Sequence, residues 1–153
     1  DLSLVTVGGT GMLGVPGVAG RTFDAVAKTG TSVPLISQAS SEQSICFTVP
    51  LESAEKVKKA LEKAFTGEIQ RRDIDSISIS PAVSIVSAVG AGMRYTPGVA
   101  GRIFTALGSA GVNVIAIAQG SSEVSISLVV DQDSLRDAVK TLHDLIISEQ
   151  RGK

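Results

Sequence analysis

The stretch Gly8-Gly9-Thr10-Gly11-Met12-Leu13-Gly14 follows an apolar run and precedes Pro16. Glycines spaced this way let a backbone approach a phosphate, so the first chemistry to weigh is nucleotide binding. Three features oppose it. A second copy of the stretch, Val89-Gly90-Ala91-Gly92-Met93-Arg94-Tyr95, lacks the first and third glycines. Residues 33–38, where the next strand is expected, hold no acidic residue to bind a ribose. That strand also runs straight into another rather than into a helix. Neither loop carries a Lys-Ser/Thr pair. A more general property survives. A glycine-rich loop entering a helix at Pro16 or Pro97 leaves unpaired backbone N–H groups at the helix start, which suit a carboxylate or phosphate. The same glycines would equally serve a tight strand–helix turn.

Gln38 and Gln119 fall at expected strand ends among small residues. Each carboxamide offers one acceptor and two donors. That suits a small ligand carrying an ammonium and a hydroxyl, and it would equally satisfy loop backbone groups. Glu42 and Glu123 begin the following strands, where each could meet an ammonium or an arginine. Arg21 and Arg102, in the first helix of each copy, fit a solvated role or a pair with such a glutamate. Cys46 and His143 are the only residues of their kinds. One thiol excludes a disulfide framework and a multi-thiolate metal site, and one imidazole excludes a histidine cluster. His143 reads as a surface residue. No nucleophile, base and orienting group can be assembled from these two, so neither catalysis nor a cofactor is expected of this chain.

The elements that position these residues come in two copies. Residues 5–50 align without a gap on 86–131, at a fixed offset of 81, with about half the positions identical. Pro16-Gly17-Val18-Ala19-Gly20-Arg21 returns as Pro97-Gly98-Val99-Ala100-Gly101-Arg102, and Ser40-Ser41-Glu42 as Ser121-Ser122-Glu123. Residues 2–7 predict a strand. Pro16 is expected in the first turn of a helix whose apolar face is Val18, Phe23, Val26 and Ala27, ended by Gly30. Residues 33–38 predict a second strand. Ile45, Phe47 and Val49 alternate with polar neighbours in a third. Val57, Leu61, Ala64 and Phe65 then keep helical spacing, with lysines opposite. Ile74, Ile77 and Ile79 mark a fourth strand over 74–80. The order β-α-β-β-α-β is ferredoxin-like, an α+β fold with helices on one face of an antiparallel sheet. The second copy starts at Ala82. Its last helix carries Leu135, Ala138, Val139, Leu142, Leu145 and Ile146, and only a polar tail follows, so it lacks a fourth strand. The expected units are 1–80 and 81–153.

Composition narrows the partners. The chain has 153 residues and a formal net charge of −1, too balanced for a nucleic-acid partner. Its 43% hydrophobic residues include no charge-free run that stays helical for the roughly 20 residues of a membrane span.

The two copies resemble ACT domains. Residues 33–42, Val-Pro-Leu-Ile-Ser-Gln-Ala-Ser-Ser-Glu, and 115–123, Ile-Ala-Ile-Ala-Gln-Gly-Ser-Ser-Glu, are similar to the strand–turn–strand motifs of the tandem ACT region of aspartate kinase. The spacing of the copies is most similar to the bifunctional aspartokinase–homoserine dehydrogenases. The resemblance implies a region that dimerises through ACT–ACT contacts. It implies binding of an end-product amino acid, relayed as feedback inhibition to a kinase domain upstream. The effector carboxylate is expected near Gly17, Val18 and Ala19, beside Met12. Its ammonium and side chain are expected at Ser32 and Val33 and at the turn of Gln38, Ser40, Ser41 and Glu42. The corresponding set in the second unit is Gly98, Val99, Ala100, Asn113, Val114, Gln119, Ser121, Ser122 and Glu123. In lysine-sensing relatives an aspartate follows the Ser-Val pair, where this chain has Pro34, and Ile115 in the copy. The glutamines resemble threonine-responsive members. Threonine is the expected effector; lysine, another end-product amino acid, or a purely structural dimerisation module are the alternatives. The resemblance also implies a cytoplasmic or plastid protein, and a strand from upstream that completes the second unit's sheet.

Overall fold

Strands form in the first unit wherever alternate side chains have a core to enter. The computed structural model describes residues 1–12, 15–38, 43–90, 93, 96–119 and 125–151, and divides into Asp1–Ala82 and Val83–Lys153. β1 (Leu2–Gly8) and β3 (Ser44–Pro50) pair antiparallel from Leu2 opposite Pro50 to Gly8 opposite Ser44. Val5, Val7, Ile45, Phe47 and Val49 are buried along this ladder. β2 (Ile36–Gln38) pairs with the other side of β3, and β4 (Ser76–Val89) lies beside β1, so the first unit runs β2-β3-β1-β4. α1 (Val18–Ala27), α2 (Ala54–Ala64) and the short α3 (Thr66–Gln70) cover one face. Val18, Val26, Val57, Leu61 and Phe65 close the core from that side.

The second unit repeats the plan. The later half of β4 pairs antiparallel with β6 (Ser125–Asp131), and β5 (Val114–Gln119) pairs with β6 on its other side. α4 (Val99–Ser109) and α5 (Leu135–Arg151) supply Ile103, Leu107, Ala138 and Leu142 to a core with Val86, Ile126, Leu128 and Val130. Among the described residues this unit has three strands and no fourth.

Several boundaries differ from the sequence reading, most for a local reason. Pro16 lies outside α1: the N-cap is Gly17 at φ 81, and Gly98 at φ 83 caps α4 in the same way. Only glycine takes that conformation without strain, so the helix starts after it. β2 covers three residues rather than six: the ladder register starts at Ile36, although the Leu35 carbonyl still accepts from Thr48 N–H at 2.9 Å. Ile115, equivalent to Pro34, sits where the β5–β6 register shifts, between Val114 and Ala116. The expected fourth strand and the first strand of the second copy are one strand, β4, running through Pro81. The Ser80 side chain carries the pairing there: its Oγ accepts from Leu4 N–H at 2.8 Å, while the Ser80 carbonyl accepts from Ser3 Oγ at 2.9 Å. On α1, Ala27 is exposed and Thr22 is buried, its hydroxyl donating to the Val18 carbonyl at 2.8 Å. On α5, Val139 and Ile146 are exposed, although they share the apolar spacing of Ala138 and Leu142.

Candidate functional site

Three elements of the first unit converge at one end of its sheet. The loop after β1 makes a 3-10 turn, Thr10–Met12, closed by Met12 N–H to the Gly9 carbonyl at 3.1 Å. That turn drops Met12 into the core edge, 3% exposed. α1 then starts after its N-cap, Gly17. Its first internal bond is Arg21 N–H to the Gly17 carbonyl at 3.0 Å, and among the described residues no side chain caps the N–H groups before it. Gln38 ends β2 directly opposite Ile45 of β3. Among the described residues these parts line a cavity of about 280 Å³, with Met12, Val15, Pro16, Gly17, Val18, Ala19, Gln38 and Ile45 around it.

The cavity therefore unites Met12, Gly17, Val18, Ala19 and Gln38 of the expected set. Val15, Pro16 and Ile45 join them, and the register of β2 on β3, which brings in Ile45, has no signal in the sequence. Ser32 and Val33 do not line it. They precede β2, whereas Gln38 ends it, so up to about 20 Å of chain separates them. Ser40, Ser41, Glu42, Ser121, Ser122 and Glu123 lie outside the described residues. The second unit keeps the local geometry. Met93 N–H donates to the Gly90 carbonyl at 3.0 Å, Arg102 N–H to the Gly98 carbonyl at 3.0 Å, and Gln119 lies opposite Ile126. Val99 and Ala100 start α4, Asn113 is exposed before β5, and Val114 begins that strand.

The glycines of the first loop have a packing role. A Cβ on Gly9 would stand 2.3 Å from the Asp73 carbonyl oxygen, and one on Gly11 2.5 Å from the Asp73 Cα. Backbone thus lies on backbone where a phosphate cradle would need open space. Arg21 does not enter the cavity. Its guanidinium pairs with Glu68 of α3, donates to the Ala64 carbonyl at 2.6 Å and lies 4.7 Å from the centre of the Phe65 ring. The glutamate that meets Arg21 is thus Glu68. Cys46 is half-buried on β3 and accepts from Thr6 Oγ1 at 3.6 Å; His143 is exposed on α5. No described helix is long and apolar enough to cross a membrane.

Residues 5–65 and 86–145 match the ACT domain family. The chain belongs to that family. Across 99% of its length it is 44% identical to the bifunctional aspartokinase/homoserine dehydrogenase of Haemophilus influenzae, and across 94% it is 45% identical to a chloroplastic enzyme of the same name from Arabidopsis thaliana. It spans 18% and 16% of those two proteins. The regulatory subunit of aspartate kinase from Thermus thermophilus, in its ligand-free form, superposes with a TM-score of 0.77 at 30% identity, over 94% of this chain and 92% of that one. The two units are thus the tandem ACT region of an aspartokinase-type regulatory chain, and the cavity lies where the first ACT unit's opening loop meets its β2–β3 hairpin.

The Arg21 contact gives this ACT unit an acid-sensitive element. Hydrogen bonding from the Arg21 guanidinium holds the Glu68 carboxyl below the usual carboxylate range. A folded-state pKa below the unfolded one makes the pair's contribution complete above about pH 4.5, and that contribution is lost as pH falls through the lowered value. Glu68→Gln is expected to reduce stability by about 0.2–1 kcal/mol at pH 7, with the difference from wild type shrinking toward pH 3.5. Urea unfolding of both proteins at the two pH values checks this, and a constant difference would contradict it.

Proposed function

We propose that the first ACT unit binds an end-product amino acid, L-threonine, in the cavity between α1 and the β2–β3 hairpin, and that occupancy is relayed to an aspartate kinase as feedback inhibition. The observation that carries this reading is the meeting of the α1 N-terminus with Gln38 over an apolar floor of Met12, Val18 and Ile45. The N–H groups that open a helix have no partner within it, and they favour a carboxylate. The Gln38 carboxamide can serve both an ammonium and a hydroxyl. A volume near the lower end for ligand sites, about 300 Å³, suits a small amino acid. None of the described lining residues is acidic, so a lysine side-chain ammonium buried there would stay unpaired at a cost of several kcal/mol. The aspartokinase relatives support the regulated activity. Gln119, Gly98, Val99 and Ala100 are the equivalent site of the second unit.

We infer further that a second copy covers the β2 edge. β2 ends the strand order of the first unit, with Ile36 48% exposed. Exposed edges recruit strands, and two-fold symmetry pairs them antiparallel.

Calorimetry and thermal unfolding with L-threonine and L-lysine test the reading. Threonine should raise the melting temperature, because it binds the folded state alone. Gln38→Ala should weaken threonine by about 5- to 150-fold, or about 1–3 kcal/mol. Light scattering should give a dimer. Tighter binding of lysine, or threonine affinity untouched by both Gln38→Ala and Gln119→Ala, would overturn the effector or the cavity. A dimer stabilised by no amino acid would make the region a structural dimerisation module.

A further inference from the structure

We propose that Arg21 is a positioning residue for the effector cavity: it clamps the first turn of α1, with the N–H groups of Val18 and Ala19, to the corner between α2 and α3. The inference rests on the effector reading above. Arg21 is tied into the turn by its own N–H, bonded to the Gly17 carbonyl at 3.0 Å. Its side chain then leaves α1 altogether. Nη2 donates to the carbonyl of Ala64, the last residue of α2, at 2.6 Å, and Nη1 donates to Glu68 on α3. Cζ stands 4.7 Å from the centre of the fully buried Phe65 ring. A carbonyl, a carboxylate and a ring face surround one planar cation, which is a pattern for guanidinium rather than ammonium. The Ala64 carbonyl is also one of the acceptors that a helix end leaves unpaired within itself, so the contact closes α2 as well.

The repeat supplies an internal comparison. Arg102 holds the same place on α4, and its N–H bonds the Gly98 carbonyl at the same 3.0 Å. There Leu145 replaces Ala64, and Ile146, 44% exposed, replaces the buried Phe65. Arg102 Nη1 lies 3.4 Å from the carbonyl of Pro97, within its own loop. An identical motif thus meets a ring and a helix corner in the first unit and a different environment in the second. The clamp acts on geometry, not on the core. Val18, Ala25 and Val26 keep α1 packed without it, but N–H donors bind a carboxylate well only when held within about 0.5 Å of the productive position.

Calorimetry with L-threonine at a temperature well below unfolding tests the clamp. All variants carry Gln119→Ala, so that the first unit's cavity is the one read. Arg21→Met should weaken threonine by about 5-fold or more while the urea midpoint moves little. Arg21→Lys should recover part of the affinity, because an ammonium still reaches Glu68, and Glu68→Gln should fall between. Arg102→Met should leave this affinity unchanged. A merely structural arginine would lower the midpoint and leave the affinity of the folded protein intact, and that result would overturn the proposal. Should Arg21→Met fail to fold, wild-type affinity in both Arg21→Lys and Glu68→Gln would overturn it equally. Failure of the Gln119→Ala parent and of wild type to bind threonine would instead remove the effector reading, and the clamp with it.

Discussion

Alanine at Gly9 is expected to destabilise the first ACT unit by about 3 kcal/mol, while alanine at Gly90 changes stability by less than about 0.5 kcal/mol. The two glycines are equivalent positions of one repeat, so chain propensity alone predicts equal effects. Their surroundings differ. The Gly9 Cβ would meet the Asp73 carbonyl oxygen at 2.3 Å and the Ile74 Cα at 2.7 Å. These are backbone atoms and cannot rotate away. Both sides of the contact are tied: Gly9 N–H donates to the Gln43 carbonyl at 3.0 Å, and Asp75 N–H to the Gly8 carbonyl at 2.9 Å. Arg72, at φ 62, turns the chain into place just before Asp73. The loop would have to shift, taking Met12 and the cavity wall with it. At Gly90 the nearest atom among the described residues, chain neighbours apart, is the flexible Met93 Cγ, 3.8 Å from the added Cβ. Urea unfolding of both variants, with amide exchange over residues 1–82, measures the difference; equal losses would show that the Asp73 contact yields easily.

The same glycines mark where the sequence stopped being informative. Gly-x-Gly-Met kept in two copies fits a ligand cradle and a close packing contact equally well. The group that decides between them, Asp73, lies far along the chain and follows no local pattern. Strand and helix identity was legible because it rests on short periods: Ile45, Phe47 and Val49 on one face, Val57 and Leu61 on another. What those periods leave open is register. Gln38 reaches the cavity because it falls opposite Ile45, and no residue in β2 announces that pairing. The spacing of the isoleucines ended one strand at residue 80 and the second copy began at Ala82, on either side of Pro81, which has no N–H to offer a ladder. The Ser80 side chain removed the break by accepting from Leu4, so one strand replaced two. The partner of Arg21 was similarly hidden. A solvated arginine or a pair with a glutamate near the β2–β3 turn was expected, whereas the fold brings Glu68 from beyond the α2 C-terminus. Val139 and Ile146 have core spacing without core burial, since a period records which face a residue is on and not whether anything covers it.

Phe47→Ala is expected to destabilise the first unit by about 3–5 kcal/mol, a large part of the roughly 5–15 kcal/mol that holds a typical domain together. The ring is fully buried at the centre of β3, with Val5 opposite on β1 and Ile36 opposite on β2. Strands paired on both sides cannot close over the space it leaves. The edge of the ring also meets Phe23 of α1, with centroids 5.4 Å apart and planes at 65°, a contact that the substitution removes. Phe47 does not line the cavity; Ile45, two residues earlier on the same face, does. Ring and ligand should therefore act as separate contributions to one folded state. Threonine at 100 times its dissociation constant should return about 2.7 kcal/mol to Phe47→Ala, as much as it gives wild type. Urea unfolding of both proteins, with and without threonine, provides the four values required. A variant that is destabilised as expected but gains much less from threonine than wild type does would mean that the Phe47 ring also shapes the cavity, through Ile45 and the α1 turn that Phe23 anchors.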